Sequence, residues 1–317
     1  MKIQKVLMEL VISLCVGVTL GCSQTIKQSI SNLTINVGKG PDALFLTPLE
    51  DYLYVANVED TMITVIETNT DKVIKQINIK LPWGFTRLGQ SNLVAVSGYE
   101  GDIAIIDFSK HEIVKSKRFE SALGGITSAS TGDFIFVNVP EANKVLKINA
   151  NNLEMVGEYK TGNGPDGVAI AAGDKKLYVT NTQDGTISII DVTTSLSKIL
   201  SVGGKPELIH FSLDKTKFII SNFDGNMVHI VDASTDAIVT NISNLAGPED
   251  IAFSRDDKTL YVVNFNNSQV TTYNATTYSK LETIYTVGEK PIGIAVLGTS
   301  KLYVSNYGDN SVSVIKK

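Results

Sequence analysis

The chain has 317 residues, 43% of them hydrophobic and 19% charged, with a formal net charge of −5 at pH 7. The apolar share excludes a disordered chain, which has too few such side chains to form a core, and the acidic balance excludes a surface broadly attractive to nucleic acid. Length alone suggests two domains, yet closed all-β folds often pass ~200 residues as one unit, so internal repeats have to decide.

At the start of the chain, Lys2 and Lys5 precede an apolar run from Leu10 to Leu20, followed by Gly21-Cys22. A charged segment, an apolar stretch and a small residue before a cleavage point form the pattern of an export signal. Thr19-Leu20-Gly21-Cys22 resembles the bacterial lipoprotein signal, in which a small residue precedes the cysteine, although Thr19 stands where that family usually has Leu. The resemblance implies that residues 1–21 are removed, that Cys22 is lipidated, and that residues 22–31 form a polar tether. The protein would then be exported, on the periplasmic face of an outer membrane or on the cell surface, touching the membrane through its N-terminal lipid only. The apolar run falls short of the ~20 residues that a spanning helix needs.

Cys15 would leave with the signal, so the mature chain keeps Cys22 alone and forms no internal disulfide. A large closed β fold does not need such staples. Covalent haem attachment is excluded because no Cys-x-x-Cys-His occurs. Removal of Lys2, Lys5 and Glu9 leaves 26 basic and 32 acidic residues, a charge of −6.

Beyond the tether the chain repeats itself. Leu53-Tyr54-Val55-Ala56-Asn57 returns as Leu177-Tyr178-Val179-Thr180-Asn181, Leu260-Tyr261-Val262-Val263-Asn264 and Leu302-Tyr303-Val304-Ser305-Asn306. Weaker copies are read as ending at Ser97, Asn138 and Asn222, which spaces seven units at 40–43 residues. The Tyr-Val-Thr-Asn motif at 178–181 resembles the YVTN family of β-propeller repeats, and the resemblance spans residues 32–317.

Each unit reads as four short strands, as in Gly167–Ile170, Lys176–Asn181, Thr186–Asp191 and Lys198–Val202, separated by Gly-Asp and Asp-Gly turns. Alternation is of period 2, and no stretch shows apolar residues at helical spacing. The expected fold is all-β: a seven-bladed β-propeller of four-stranded antiparallel blades, which buries sheet faces by stacking around an axis. The last unit ends one strand short at Lys317, and residues 33–37 match the segment that closes the sixth unit. An N-terminal strand is therefore predicted to complete the last blade and close the ring.

The Asn of each repeat precedes a turn and is expected to bond locally, in a structural role. Chemistry is sought instead after the Pro that opens most units: Asp42, Trp83, Gly125, Asp166, Glu207, Glu249 and Ile292. Innermost propeller strands start near the central channel, so Asp42, Trp83, Asp166, Glu207 and Glu249 form the candidate ligand-binding set at its mouth. Carboxylates beside one aromatic suit a cation or a cationic ligand. The competing reading is a solvated acidic rim, its carboxylates too far apart to share one ion at the ~2.3–2.6 Å of a calcium site. No catalytic residue, no metal ligand and no cofactor is assigned.

The three histidines are predicted apart. His111 lies in a turn, while His210 and His229 lie on the first and third strands of unit five, ~9.6 Å apart at two strand spacings. A shared zinc is therefore not expected, and His210 is the best candidate for a titrating group. No Gly-x-Ser-x-Gly elbow occurs, no Gly-x-Gly-x-x-Gly stands after a strand and before a helix, and Gly124-Gly125 reads as a turn.

These features point to a non-catalytic envelope module that binds a protein, peptide or glycan. Two alternatives stand beside it: a metal-assisted hydrolase or lyase at the acidic mouth, and a DNA-binding periplasmic propeller. The second alternative comes from the resemblance alone, through YncE-like members. Arginine occurs only at Arg87, Arg118 and Arg255, which gives phosphate contacts little to build on. Related propellers also resemble haem or quinone dehydrogenase halves, lactonases and lyases, and the fold does not select among such chemistries.

Overall fold

The computed structural model describes residues 33–171 and 173–317. The predicted export signal, Cys22 and the tether lie outside the described residues. Seven four-stranded antiparallel sheets stand in a ring. Blade 1 runs through Pro41–Leu46, Tyr52–Asn57, Met62–Glu67 and Lys72–Asn78, and the same order recurs at 82–118, 126–160, 165–201, 206–242 and 248–286. Helix is confined, among the described residues, to single turns at Pro140–Ala142, Phe265–Asn267 and Tyr307–Asp309.

Blade 7 contributes Pro291–Leu297, Lys301–Asn306 and Ser311–Lys316, and its outer strand is Leu33–Asn36. Leu33 opposes Val314 and Asn36 opposes Ser311, and the Val37 N–H donates to the Asn310 carbonyl at 3.0 Å. Ile35 is buried in the interface between blades 7 and 1, with Val37 packed beside it. The predicted clasp is thus the device that joins the ends of the chain.

The ring has two different ends. Turns between second and third strands, together with the connections between blades, make the mouth end. Turns between first and second strands and between third and fourth strands make the base.

Strand register corrects two readings of the repeat. Pro41, Pro82 and Pro165 oppose Asn57, Gly98 and Asn181, so Gly98, not Ser97, occupies the Asn position of blade 2. In blade 3, Ile126 opposes Val137 just as Val168 opposes Val179. Val139 therefore holds the Asn position, and Gly124, not Gly125, holds the channel position. Gly124 and Gly125 are no turn: both exchange backbone hydrogen bonds with Asn138 on the second strand. The one-residue slip arose because Ser97 and Asn138 look like the motif Asn chemically, whereas pairing is decided by the whole strand.

Each letter of the motif has a separate task. The Tyr reaches the turn between third and fourth strands of the next blade: Tyr54 meets His111 Nδ1 at 2.5 Å, Tyr178 donates to Asp236 at 2.6 Å and Tyr303 to Asp71 at 2.6 Å. The Val is fully buried between blades. The Thr or its substitute ties the next blade's channel strand: Ser97 donates to the Gly124 carbonyl at 2.7 Å, Thr180 to Glu207 at 2.6 Å, Ser305 to Asp42 at 2.6 Å, and Asn138 to Asp166. The Asn bonds hydroxyls of its own third strand, as Asn181 does with Thr186 and Ser188 and Asn306 with Ser311 and Ser313. That placement agrees with the structural role expected for it.

Close approach of neighbouring channel strands explains the glycines after the channel position. A Cβ on Gly125, Gly167 or Gly293 would collide with the carbonyl oxygen of Asp166, Glu207 or Asp42.

Two outcomes test this account. A chain starting at Gly40 should unfold at clearly lower urea concentration than one starting at Cys22, since it loses a paired strand and buried Ile35, about 1 kcal/mol per hydrogen bond and ~1.5–3 kcal/mol for the side chain. Equal midpoints would remove the clasp. Thr180→Val, nearly isosteric, leaves the Glu207 carbonyl and the Gly167 N–H without their buried partner and should lower stability by roughly 1–3 kcal/mol, read from the same denaturation curves.

Candidate functional site

The inner strands place their channel residues by one rule: the Pro or its equivalent opens the strand, and the next side chain borders the mouth. All five predicted residues, Asp42, Trp83, Asp166, Glu207 and Glu249, line a single cavity of about 350 Å³ at the mouth of the channel. Blades 1, 2, 4, 5 and 6 each supply one of them. A narrower cavity of about 190 Å³ continues into the channel and shares Asp42, Trp83 and Asp166 with the first.

Their surroundings differ from a solvated rim. Burial pushes the Asp42 carboxyl up to about 7, with the charges of Asp250 and Glu207 adding to the shift. Burial raises Glu249 to about 9, assisted by Glu207 and Asp42 and opposed by Lys205. Asp166 is raised well above the usual carboxylate range, first by burial, then by the charge of Glu207 and a hydrogen bond to it. Asp42, Asp166 and Glu249 retain partial exposure, but a channel that admits only a little water screens charge poorly. Near neutral pH, then, the mouth holds protons on some of its carboxyls.

One cation is built in. Lys205 Nζ lies 2.5 Å from Glu207 Oε1 and 5.5 Å from the Phe223 ring centre. Its ammonium is favoured on balance: burial disfavours the charge, but Glu207, Glu249 and Asp166 outweigh burial. Blade 2 adds an aromatic wall to the same cavity, Trp83 with Tyr99 at 5.6 Å between ring centres, and blade 3 adds Pro140.

Sequence reasoning missed Lys205, Tyr99 and Asp250. Lys205 directly precedes Pro206-Glu207, and Tyr99 belongs to the mouth turn of the Trp83 blade, so both could have been found by extending the repeat alignment to its turns. Asp250 stands in the register of Gly84, Gly125, Gly167 and Gly293. There it accepts the Ile294 N–H of blade 7 at 2.9 Å and pairs with His210 of blade 5 at 2.7 Å. The pair is close but not aligned as a hydrogen bond, and Asp250 raises the imidazole pKa against the opposing effect of burial. His210, the histidine singled out from the sequence, is thus the one whose pKa is raised, whereas burial lowers His111 and His229. Asp250 serves where Val263 of blade 6 offers no hydroxyl to tie blade 7.

The other histidines lie elsewhere, as read from the sequence. His229 is buried between Asn222 and Asn241, and His111 sits in a base turn. Among the described residues no group of three or more His, Cys, Asp and Glu is arranged to hold a metal ion. The carboxyls of the mouth influence each other's protonation without forming such a metal-holding group.

A family profile described as a YNCE-like beta-propeller matches residues 25–301. The chain belongs to that family. Among solved structures, this YNCE-like propeller is similar to Kuenenia stuttgartiensis hydrazine synthase, with a TM-score of 0.77 at 16% identity over 95% of this chain and 99% of that one. It is also similar to the Myceliophteria thermophila Cps50 (Swd1) beta-propeller domain, with a TM-score of 0.78 at 11% identity over 91% and 99% of the two chains. At such identities the likeness is one of fold. No curated protein matches the chain.

The raised carboxyls make stability depend on pH. A carboxyl that binds its proton more tightly folded than unfolded stabilises the fold below its unfolded pKa, and that contribution is lost as pH rises through the folded value. Stability should therefore decline from about pH 4 upward, through about 7 for Asp42 and about 9 for Glu249. Thermal melts across this range should show the slope flattened in Asp42→Asn with Glu249→Gln; an unchanged slope would assign it to other groups.

Proposed function

We propose that this propeller is a non-catalytic binding module of the cell envelope, tethered by a lipid on Cys22, whose mouth receives a cationic side chain of a protein or peptide partner. One observation carries the reading: an aromatic wall and four carboxyls, Asp42, Asp166, Glu207 and Glu249, face one cavity that contains a single lysine. An ammonium or guanidinium entering there gains the ring quadrupole of Trp83 on one side and displaces protons from the carboxyls on the other.

The alternatives have less to stand on. The mouth lining offers Thr182 as its one aliphatic hydroxyl, bonded to the Gly164 carbonyl at 2.9 Å, and no histidine, so a hydrolase would lack a paired nucleophile and base there. For phosphate binding, the arginines are already engaged: Arg118 with Glu100 and Asp102, Arg255 with Glu50, and Arg87 with its own turn.

Calorimetric titration with a lysine-rich peptide and with its acetylated form tests the reading. The unmodified peptide should bind at least tenfold more tightly, release protons, and bind more tightly as pH rises from 6 to 8. Trp83→Ala should weaken it by ~0.5–2 kcal/mol. Equal binding of the acetylated peptide would sink the cationic reading, and binding of neutral oligosaccharides instead would turn the same aromatic wall into a sugar-stacking platform.

A further inference from the structure

Exposed large apolar side chains gather toward the base of the ring. Leu49, Leu196 and Leu213 project from base turns with 85%, 73% and 56% of their surface exposed. Near the same end, the outer strands of blades 1, 2, 3 and 5 each carry a bulge residue opposed to no neighbour. In all four it is an exposed aliphatic, Ile74, Val114, Val156 or Val239. Of the exposed large apolar side chains among the described residues, only Tyr99 lies at the mouth.

A groove of about 550 Å³ between the base turns of blades 4 and 5 is lined by Lys175, Lys176 and Lys215. Three aspartates of these turns fold back on their own backbone: Asp191 accepts the Thr194 N–H at 2.7 Å, Asp214 the Thr216 N–H at 3.0 Å and Asp232 the Ser234 N–H at 2.9 Å, whereas Asp174 accepts from Ser130 of blade 3 and Asp236 pairs with Lys176 and Lys198. With Lys176 held by Asp236, Lys175 and Lys215 are the exposed lysines of the groove, on stems able to lie along apolar surface.

The chain itself arrives at this end. The clasp strand runs from the base toward the mouth, so Leu33, the first described residue, belongs to the base half of the molecule. The exposed aliphatics are spread round the ring from blade 1 to blade 5, which suits a planar surface better than a single protein face.

We propose that the base docks on a phospholipid bilayer, its leucine tips at the acyl boundary and its lysines at the level of the phosphates, so that the mouth points away from the membrane. The inference rests on the lipid tether of the preceding reading to bring the base to a membrane.

The protein has a single tryptophan, Trp83, at the mouth, which serves as an internal control. The full chain, purified from a bacterial envelope, is reconstituted with vesicles of phosphatidylglycerol and phosphatidylcholine with brominated acyl chains. Tryptophan added by Leu196→Trp or Leu213→Trp should lose at least half of its emission, whereas Trp83 and a mouth-side Glu141→Trp should be unaffected. Vesicle flotation without quenching at positions 196 and 213 overturns the docking, as does quenching of Trp83. Mass spectrometry of Cys22 separates the two readings. A lipid on Cys22 without base quenching refutes docking alone. Base quenching without a lipid on Cys22 refutes the tether alone.

Discussion

Everything at the mouth depends on how closely neighbouring channel strands approach. A four-stranded blade is too small to stand alone, and its faces are buried only against the next blade, so the ring has to close on itself. The side chain before the motif Asn sets the spacing where blades are nearest. Thr180, Ser305, Ser97 and Asn138 donate to the carbonyl of the next blade's channel residue, and Gly125, Gly167 and Gly293 leave room for that carbonyl. These ties fix the backbone of Glu207, Asp42 and Asp166, three of the four carboxyls of the mouth. The repeat that builds the scaffold therefore also positions the candidate site.

That coupling explains why carboxyls from different blades affect one another. Each sits at the narrow end of a stacked ring, where protein replaces most of the water and leaves little dielectric between them. Lys205 offsets one negative charge, and protons offset others. The protonation state of the mouth therefore follows from burial and from the charges gathered there. The base exposes Leu49, Leu196 and Leu213 at its turn tips, so the two ends of one ring differ in surface chemistry.

Much of this was legible in the chain itself. The forty-odd-residue period, the short alternating strands and the missing strand after Lys317 together specified blade number, strand order and the clasp of Leu33–Asn36. The five mouth residues were found because a propeller makes one register position equivalent in all blades. The same logic failed by one residue at Ser97 and Asn138, where a polar side chain imitated the motif Asn while the hydrogen-bonded register placed Gly98 and Val139 there.

The sequence by itself determined the repeat, hence the fold, since period and alternation are properties of neighbours along the chain. It determined the five channel-position residues of the mouth for the same reason. Only the tertiary structure decided what that mouth is: that Tyr99 stands against Trp83, that Lys205 sits between carboxyls, that Asp250 joins three blades, and that burial rather than solvent governs Asp42 and Glu249. Those properties depend on distances across the ring between residues far apart in the chain, and the magnitude of an electrostatic effect follows from such distances and from the water excluded between them.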